Sequence, residues 1–137
     1  MTVARDIMTP DPQCVKENQN LVEAAVLMRD LDVGALPICG EDDRLKGMLT
    51  DRDIVVKCVA DGGDPSSVLV SSLAEGKPVT IGADDDIREA LRTMQEHQVR
   101  RLPVIDGHDL VGIISQADIA LSLSATETGE TVEEISE

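Results

Sequence analysis

Two stretches of this chain end in one chemistry-bearing pattern: a glycine, two apolar residues, a hydroxyl and, three positions later, a carboxylate. They are Gly47-Met48-Leu49-Thr50-Asp51-Arg52-Asp53 and Gly112-Ile113-Ile114-Ser115-Gln116-Ala117-Asp118. Thr50 with Asp53, and Ser115 with Asp118, match a helix capping box with Asp in the reciprocal position. The same groups also suit a ligand. A strand feeding a helix N-terminus offers free N–H groups and a hydroxyl to a phosphate, and the Asp beside them suits the two hydroxyls of a ribose. Cap and ligand group can be the same atoms at different times.

Arg88, Arg92, Arg100 and Arg101 form a local basic cluster in an otherwise acidic chain. Arg88 and Arg92 lie one helical turn apart and read as a solvated face. Arg100 and Arg101 precede a Leu-Pro strand, where they either pair with surface carboxylates or contact an anion. His97 and His108 have no spacing to a nucleophile, and no Gly-x-Ser-x-Gly elbow or Gly-rich phosphate loop is present. Asp84-Asp85-Asp86 reads as charge placed against a helix dipole. No catalytic constellation emerges, so the chain reads as a non-enzyme. Cys14, Cys39 and Cys58 lack metal-ligand spacing. They read either as free thiols or as a Cys14–Cys39 bridge between two core strands with Cys58 left over, a loop whose closure adds roughly 3 kcal/mol in the chain-entropy model.

The composition narrows the classes further. The chain is 42% apolar yet has no Phe, Tyr or Trp, so its core is aliphatic and it has no stacking platform for single-stranded nucleic acid. A net charge of −15 argues against nucleic acid and anionic membrane surfaces alike. No apolar run reaches the roughly 20 residues of a membrane span, and the N-terminus has no signal-peptide pattern, so the expected location is cytoplasmic.

The elements that position these residues come in duplicate. Leu21–Met28 returns as Ile87–Met94, Ala35-Leu36-Pro37-Ile38 as Arg101-Leu102-Pro103-Val104, and Gly47–Ile54 as Gly112–Ile119. Such a repeat is a supersecondary unit, and the expected fold is α+β: two β-α-β-β-α copies packed with pseudo-two-fold symmetry. The spacing predicts a helical turn over 2–8, a strand over 13–16 and a helix after Asn20 that Gly34 stops. Strands follow over 35–39 and 45–49, then a helix from Thr50 to 60. The second copy predicts a turn near 68–74, a strand over 78–81, a helix over 85–97, strands over 101–105 and 110–114, and a helix over 115–123. In each copy the first two strands should be parallel and the third antiparallel to the second. The expected division is 1–60 for the first repeat, 61–67 for a linker, 68–123 for the second repeat and 124–137 for a disordered acidic tail.

The doubled unit, the Leu-Pro-Ile/Val strand and the Gly-x-x-Thr/Ser-x-x-Asp ending together resemble a tandem pair of CBS domains, a Bateman module, over residues 3 to about 122. The run from Ala4-Arg5-Asp6-Ile7-Met8 onward is similar to stand-alone actinobacterial CBS proteins. The resemblance implies a regulatory protein with two composite clefts for an adenine nucleotide, AMP or ATP, or another adenosyl compound. One cleft would combine Met48, Thr50, Arg52 and Asp53 with Val79, Thr80, Val99, Arg100 and Arg101, placing phosphate near Thr50 and the arginines and ribose on Asp53. The other would combine Ile113, Ser115 and Asp118 with Thr9, Gln13, Val33, Gly34 and Ala35, and would lack a basic residue before the proline. It would take an uncharged adenosyl compound or none. The resemblance also implies a homodimer. The valines Val55, Val56 and Val59 beside Ile54 agree with that, being unusually apolar for a free helix surface. The alternative function is a ligand-free dimeric stress-response or interaction scaffold.

Overall fold

The computed structural model describes residues 1–74 and 78–128. The chain is mixed α+β and divides into two compact units. Unit I takes Pro12–Pro78 with His108–Leu110; unit II takes Met1–Asp11, Val79–Gly107 and the chain from Val111.

In unit I, β2 (Val15–Lys16) leads to α2 (Leu21–Leu31), β3 (Ala35–Cys39), β4 (Leu45–Thr50) and α3 (Asp51–Ile54). Asn20 caps α2 by accepting from Glu23 N–H at 2.8 Å, and Glu23 answers at the Asn20 N–H. The helix buries Leu21, Ala24 and Met28, one stripe at helical spacing. Its stop is Asp32 in the left-handed region (φ 56°), two residues before the expected Gly34. Asp tolerates that conformation, so glycine is not required there. β2 and β3 are parallel and β3 and β4 antiparallel, giving a three-stranded sheet in the order β2-β3-β4. Leu36, Ile38, Leu49, Ile54 and Cys58 fill its core, with no aromatic ring among them. Past α3 the backbone widens into a π-helical stretch over Val55–Val59 rather than continuing as regular α-helix to 60. Cys14 and Cys39 are disulfide-bonded with Cα atoms 5.8 Å apart, and Cys58 is a buried free thiol.

Unit II holds β5 (Ile81–Gly82), α4 (Ile87–His97), β6 (Arg101–Asp106), β7 (Asp109–Ser115) from Val111 onward, and α5 (Gln116–Thr128). Gln98 ends α4 in the left-handed region, as Asp32 ends α2. The helix α5 extends five residues past the expected 123, into the stretch read as an acidic tail; the rest of that expected tail lies outside the described residues. Ala125 and Glu127 have helix propensities that favour this extension.

The compact units do not coincide with the sequence repeats. The helical turn α1 (Ala4–Ile7) opens the first repeat but packs in unit II, where Ala4 is fully buried. Ala4 N–H donates to the Asp85 carbonyl at 2.9 Å and Arg5 N–H to Ala83 at 2.8 Å. Thr9–Pro10 follows as β1, pairing antiparallel with β7, so the sheet runs β1-β7-β6-β5. Conversely the 3-10 turn Val70–Leu73, which opens the second repeat, packs in unit I. Val70 N–H donates to Gln19 at 2.8 Å and Ser71 N–H to Glu17 at 3.0 Å. Each unit is thus completed by the leading turn of the other repeat.

Candidate functional site

Each unit brings the end of its hairpin's second strand against the start of the first, because antiparallel register opposes first and last residues. In unit I Ala35 faces Thr50. Asp51 N–H donates to the Gly34 carbonyl at 3.0 Å, which pins the start of α3 to the entry of β3. In unit II Gln116 N–H donates to the Arg100 carbonyl at 2.8 Å, pinning the start of α5 to the entry of β6. The hydroxyl-carboxylate motif and the pre-proline residues of the same repeat therefore stand side by side.

Both motifs are capping boxes. Thr50 N–H donates to Asp53 Oδ2 at 3.0 Å and Asp53 N–H returns to Thr50 Oγ1 at 3.0 Å. Lys57 Nζ lies 3.6 Å from Asp53 Oδ1, so both carboxylate oxygens of Asp53 are engaged. In unit II Ser115 N–H donates to Asp118 Oδ2 at 3.3 Å and Asp118 N–H to Ser115 Oγ at 3.1 Å. That box is looser. The residue at the Lys57 position of this repeat is Ser122, which brings no charge to Asp118.

A groove opens beside each motif. The groove of unit I has a volume of about 500 Å³ between α2 and α3, and Met28, Ile54 and Val55 line it together with Asp32, Gly34 and Asp51. A Cβ at Gly34 would lie 3.3 Å from Asp51 Oδ2, so a larger residue there would crowd that carboxylate. The groove of unit II encloses about 510 Å³ and is lined by Arg100, Arg101, Ser115, Gln116, Ala117 and Ala120. Both arginines are exposed, and among the described residues neither is held in an ion pair. An unpaired guanidinium pair beside a hydroxyl at a helix start is suited to an anion.

These placements sort the expected site residues. Val33, Gly34, Ala35, Thr50 and Asp53 share unit I with Met48, Arg52 and Gln13. Met48 lies opposite Pro37 in the β3–β4 register, Arg52 is exposed on α3, and Gln13 is exposed just ahead of β2. Thr9, Ile113, Ser115, Asp118, Arg100 and Arg101 share unit II, where Thr9 lies opposite Ile113. Val79, Thr80 and Val99 belong to this unit too, with Val79 and Val99 packed against its core. The motif expected to stand without a basic neighbour, Ser115 with Asp118, has two arginines on its own groove. Residue-by-residue reading missed Asp51 and Gln116, the first residues after each hydroxyl. Hairpin register was the signal that places them, since it fixes which strand ends meet.

Among the described residues no group of three or more His, Cys, Asp or Glu is arranged to hold a metal ion, and no helix is long and apolar enough to cross a membrane. The CBS-domain family model matches residues 4–59 and 70–125. Hypoxic response protein 1 of Mycobacterium tuberculosis is 54% identical over 123 residues, covering 90% of this chain and 86% of that protein. A crystal structure of Hypoxic Response Protein I with two coordinated zinc ions, 54% identical, aligns at a TM-score of 0.82 over 88% of this chain and 98% of that one. The CBS domain-containing protein YhcV of Bacillus subtilis is 39% identical over 132 residues, covering 93% and 90%. A CBS-domain pair crystallised with 5′-methylthioadenosine and S-adenosyl-L-methionine shares the fold at a TM-score of 0.80, with 24% identity and coverage of 91% and 98%.

Proposed function

Because the chain belongs to the CBS-domain family in both of its repeats, we propose that it is a stand-alone, non-enzymatic CBS-pair sensor that binds an adenine nucleotide or another adenosyl compound. The observation that carries this reading is the groove of unit II, where Arg100 and Arg101 stand beside Ser115 without an ion-pair partner among the described residues. A phosphate would take the arginine forks and the Ser115 hydroxyl, whose oxygen already accepts from Asp118 while its proton stays available. Asp118 would receive the ribose hydroxyls more readily than Asp53, because no lysine holds it. The adenosyl ligands of the 24%-identical pair support the choice of ligand class only through the shared fold.

Binding would act by linkage: a ligand favours whichever arrangement of the protein holds it best, and that arrangement changes what a partner meets. Cytoplasmic residence fits such a role. Titration calorimetry with AMP, ATP, S-adenosylmethionine and 5′-methylthioadenosine at low salt tests the reading. Arg101→Ala and Ser115→Ala should weaken binding of the phosphorylated ligands, whereas absence of binding by all four at millimolar concentration refutes it.

A second reading has its own observation. Val55, Val56 and Val59 are 57%, 44% and 54% exposed on one short helical stretch. Apolar surface of that kind marks association sites, and it favours a homodimer whether or not a nucleotide binds. Light scattering over a concentration series tests it.

A further inference from the structure

We infer that the Met8 thioether is an oxidation site, and that its conversion to the sulfoxide by a peroxide loosens β1 from β7 in unit II. Met8 is the half-buried residue between α1 and β1. Its sulfur occupies the place where a side chain at residue 112 would stand, and Met8 Cγ lies 2.7 Å from that point. The Thr9 carbonyl oxygen reaches the same point at 2.9 Å. Gly112 is therefore the socket of this joint. Across it β1 pairs with β7, Pro10 opposite Gly112 and Thr9 opposite Ile113. The corresponding joint of unit I holds no sulfur. There Ala74, the counterpart of Met8 in the second repeat, brings only a methyl, which a Cβ at Gly47 would meet at 3.4 Å.

The surroundings of the other sulfurs make the site selective. Met28 and Met94 are sealed in the two cores at 5% and 1% exposure, and the free thiol of Cys58 is 2% exposed. Met1 is 92% exposed, so a sulfoxide there disturbs no packing. Met48 is half-buried as Met8 is, but it lies on β4 in unit I. In the reaction the Met8 sulfur lone pair takes one peroxide oxygen, the O–O bond breaks, and the other oxygen leaves as water. The thioether is oxidised by two electrons and the peroxide reduced by two. The product is a polar group that accepts but does not donate, larger by one oxygen. It fits poorly in an apolar socket that already faces another acceptor, the Thr9 carbonyl. Once it swings out, β1 loses its cover and holds β7 through two exposed residues alone. The turn α1 keeps the segment attached, because Ala4 is buried and Arg5 holds Asp106 at 3.0 Å and Asp84 at 3.5 Å. The release is therefore local: the β7 edge opens while unit II stays folded. Methionine sulfoxide reductases reverse the step.

Hydrogen peroxide applied to the full-length protein, followed by peptide mass spectrometry and amide hydrogen exchange, tests this. Met8 should oxidise about tenfold or more faster than Met28 and Met94. Exchange across residues 8–11 and 111–113 should then speed up about tenfold or more, while β3 and β4 keep their untreated rates. Methionine sulfoxide reductases of both epimer specificities, added together, should restore the protection. Met8→Leu, a swap of similar volume without sulfur, should exchange as the untreated parent does and stay unmoved by peroxide. Met48→Leu should respond to peroxide as the parent does, which separates Met8 from oxidation in unit I. The inference is overturned if Met8 oxidises no faster than Met94, or if its oxidation leaves exchange at 111–113 unchanged. It is equally overturned if the reductases restore Met8 without restoring protection, or if Met8→Leu still responds to peroxide. The reductase arm uses the unsubstituted chain, so it decides the matter even where Met8→Leu disturbs the joint.

Discussion

Gly47 and Gly112 occupy the same place in the two repeats, yet substituting alanine at each should have opposite effects. Neither has a positive φ, so the difference is one of space. A Cβ at Gly47 would meet Ala74 Cβ at 3.4 Å and Ile38 Cδ1 at 3.8 Å, which is ordinary packing. A Cβ at Gly112 would overlap the Met8 side chain, reach Met8 Cγ at 2.7 Å and meet the Thr9 carbonyl oxygen at 2.9 Å. The flexible end of Met8 can swing away, but the Thr9 carbonyl is part of β1 and cannot move without loosening its pairing with β7. Overpacking of this kind costs about 1–3 kcal/mol. Against it, both substitutions gain about 0.4–1 kcal/mol from a less flexible unfolded chain.

Gly47→Ala should therefore be neutral or slightly stabilising, and Gly112→Ala destabilising by about 1–2 kcal/mol. For a chain of this length each kcal/mol moves Tm by roughly 3–5 °C, so the two variants should melt several degrees apart. Differential scanning calorimetry at fixed protein concentration reads this directly. Met8→Ala in the Gly112→Ala background should recover part of the loss, giving a coupling of about 0.5–1 kcal/mol in a double-mutant cycle. Equal melting shifts for the two glycine variants, or strict additivity with Met8→Ala, would refute the packing of the N-terminal segment on the second repeat's sheet.

Three further outcomes are expected. Asp53→Ala should lower stability by about 0.5–2 kcal/mol in urea unfolding, because its carboxylate answers the Thr50 N–H; Asp118→Ala should cost less, its bond to Ser115 being 3.3 Å. Reduction of the Cys14–Cys39 bridge, which closes a separation of 25 residues, should cost roughly 3 kcal/mol, so a phosphine reductant should lower Tm in the parent but leave Cys14→Ser/Cys39→Ser unchanged. The Ser66 hydroxyl, and then its backbone N–H, hold the Asp64 carboxyl below the usual carboxylate range. A depressed folded value means that the turn's contribution is complete above the ordinary aspartate pKa and is lost as pH falls through the folded value. Ser66→Ala should raise the Asp64 pKa toward the ordinary value in a carboxyl-detected NMR titration.

Much of the architecture was legible because it rests on local rules. The repeat announced two copies of one unit, Asn20 with Glu23 announced a capped helix, and the Thr50–Asp53 spacing announced a box that the structure contains. Two features were not legible. The repeat boundary shows where the chain resembles itself, but which sheet the leading turn covers depends on a long-range fit. Ala4 is apolar and small enough for either core, and only the backbone bonds to Ala83 and Asp85 reveal the one it joins. The grooves were hidden for a related reason. Arg100 and Ser115 lie far apart in sequence, and a hairpin returns them to one place. The register that does so could have been read from the two-residue Gly107-His108 turn, which fixes the pairing of its strands.

The duplicated motif also shows how one pattern can be assigned different work by its neighbours. In unit I the carboxylate is tied at both oxygens, by the Thr50 N–H and by Lys57, and the groove beside it is lined by Asp32 and Asp51. An anion there would meet like charge, and the one arginine lining the groove, Arg29, is paired with Asp30. In unit II a serine replaces the lysine, the box is longer at both bonds, and the adjoining groove carries two arginines. Substituting Ser122→Lys should therefore bring a lysine to Asp118 as Lys57 stands to Asp53, and stabilise α5's first turn by a few tenths of a kcal/mol, about what an i,i+4 pair gives. If Asp118 serves a ribose, the same change should weaken adenosyl binding while Tm holds or rises. A variant that gains stability and keeps its affinity would show that Asp118 is a cap and nothing more.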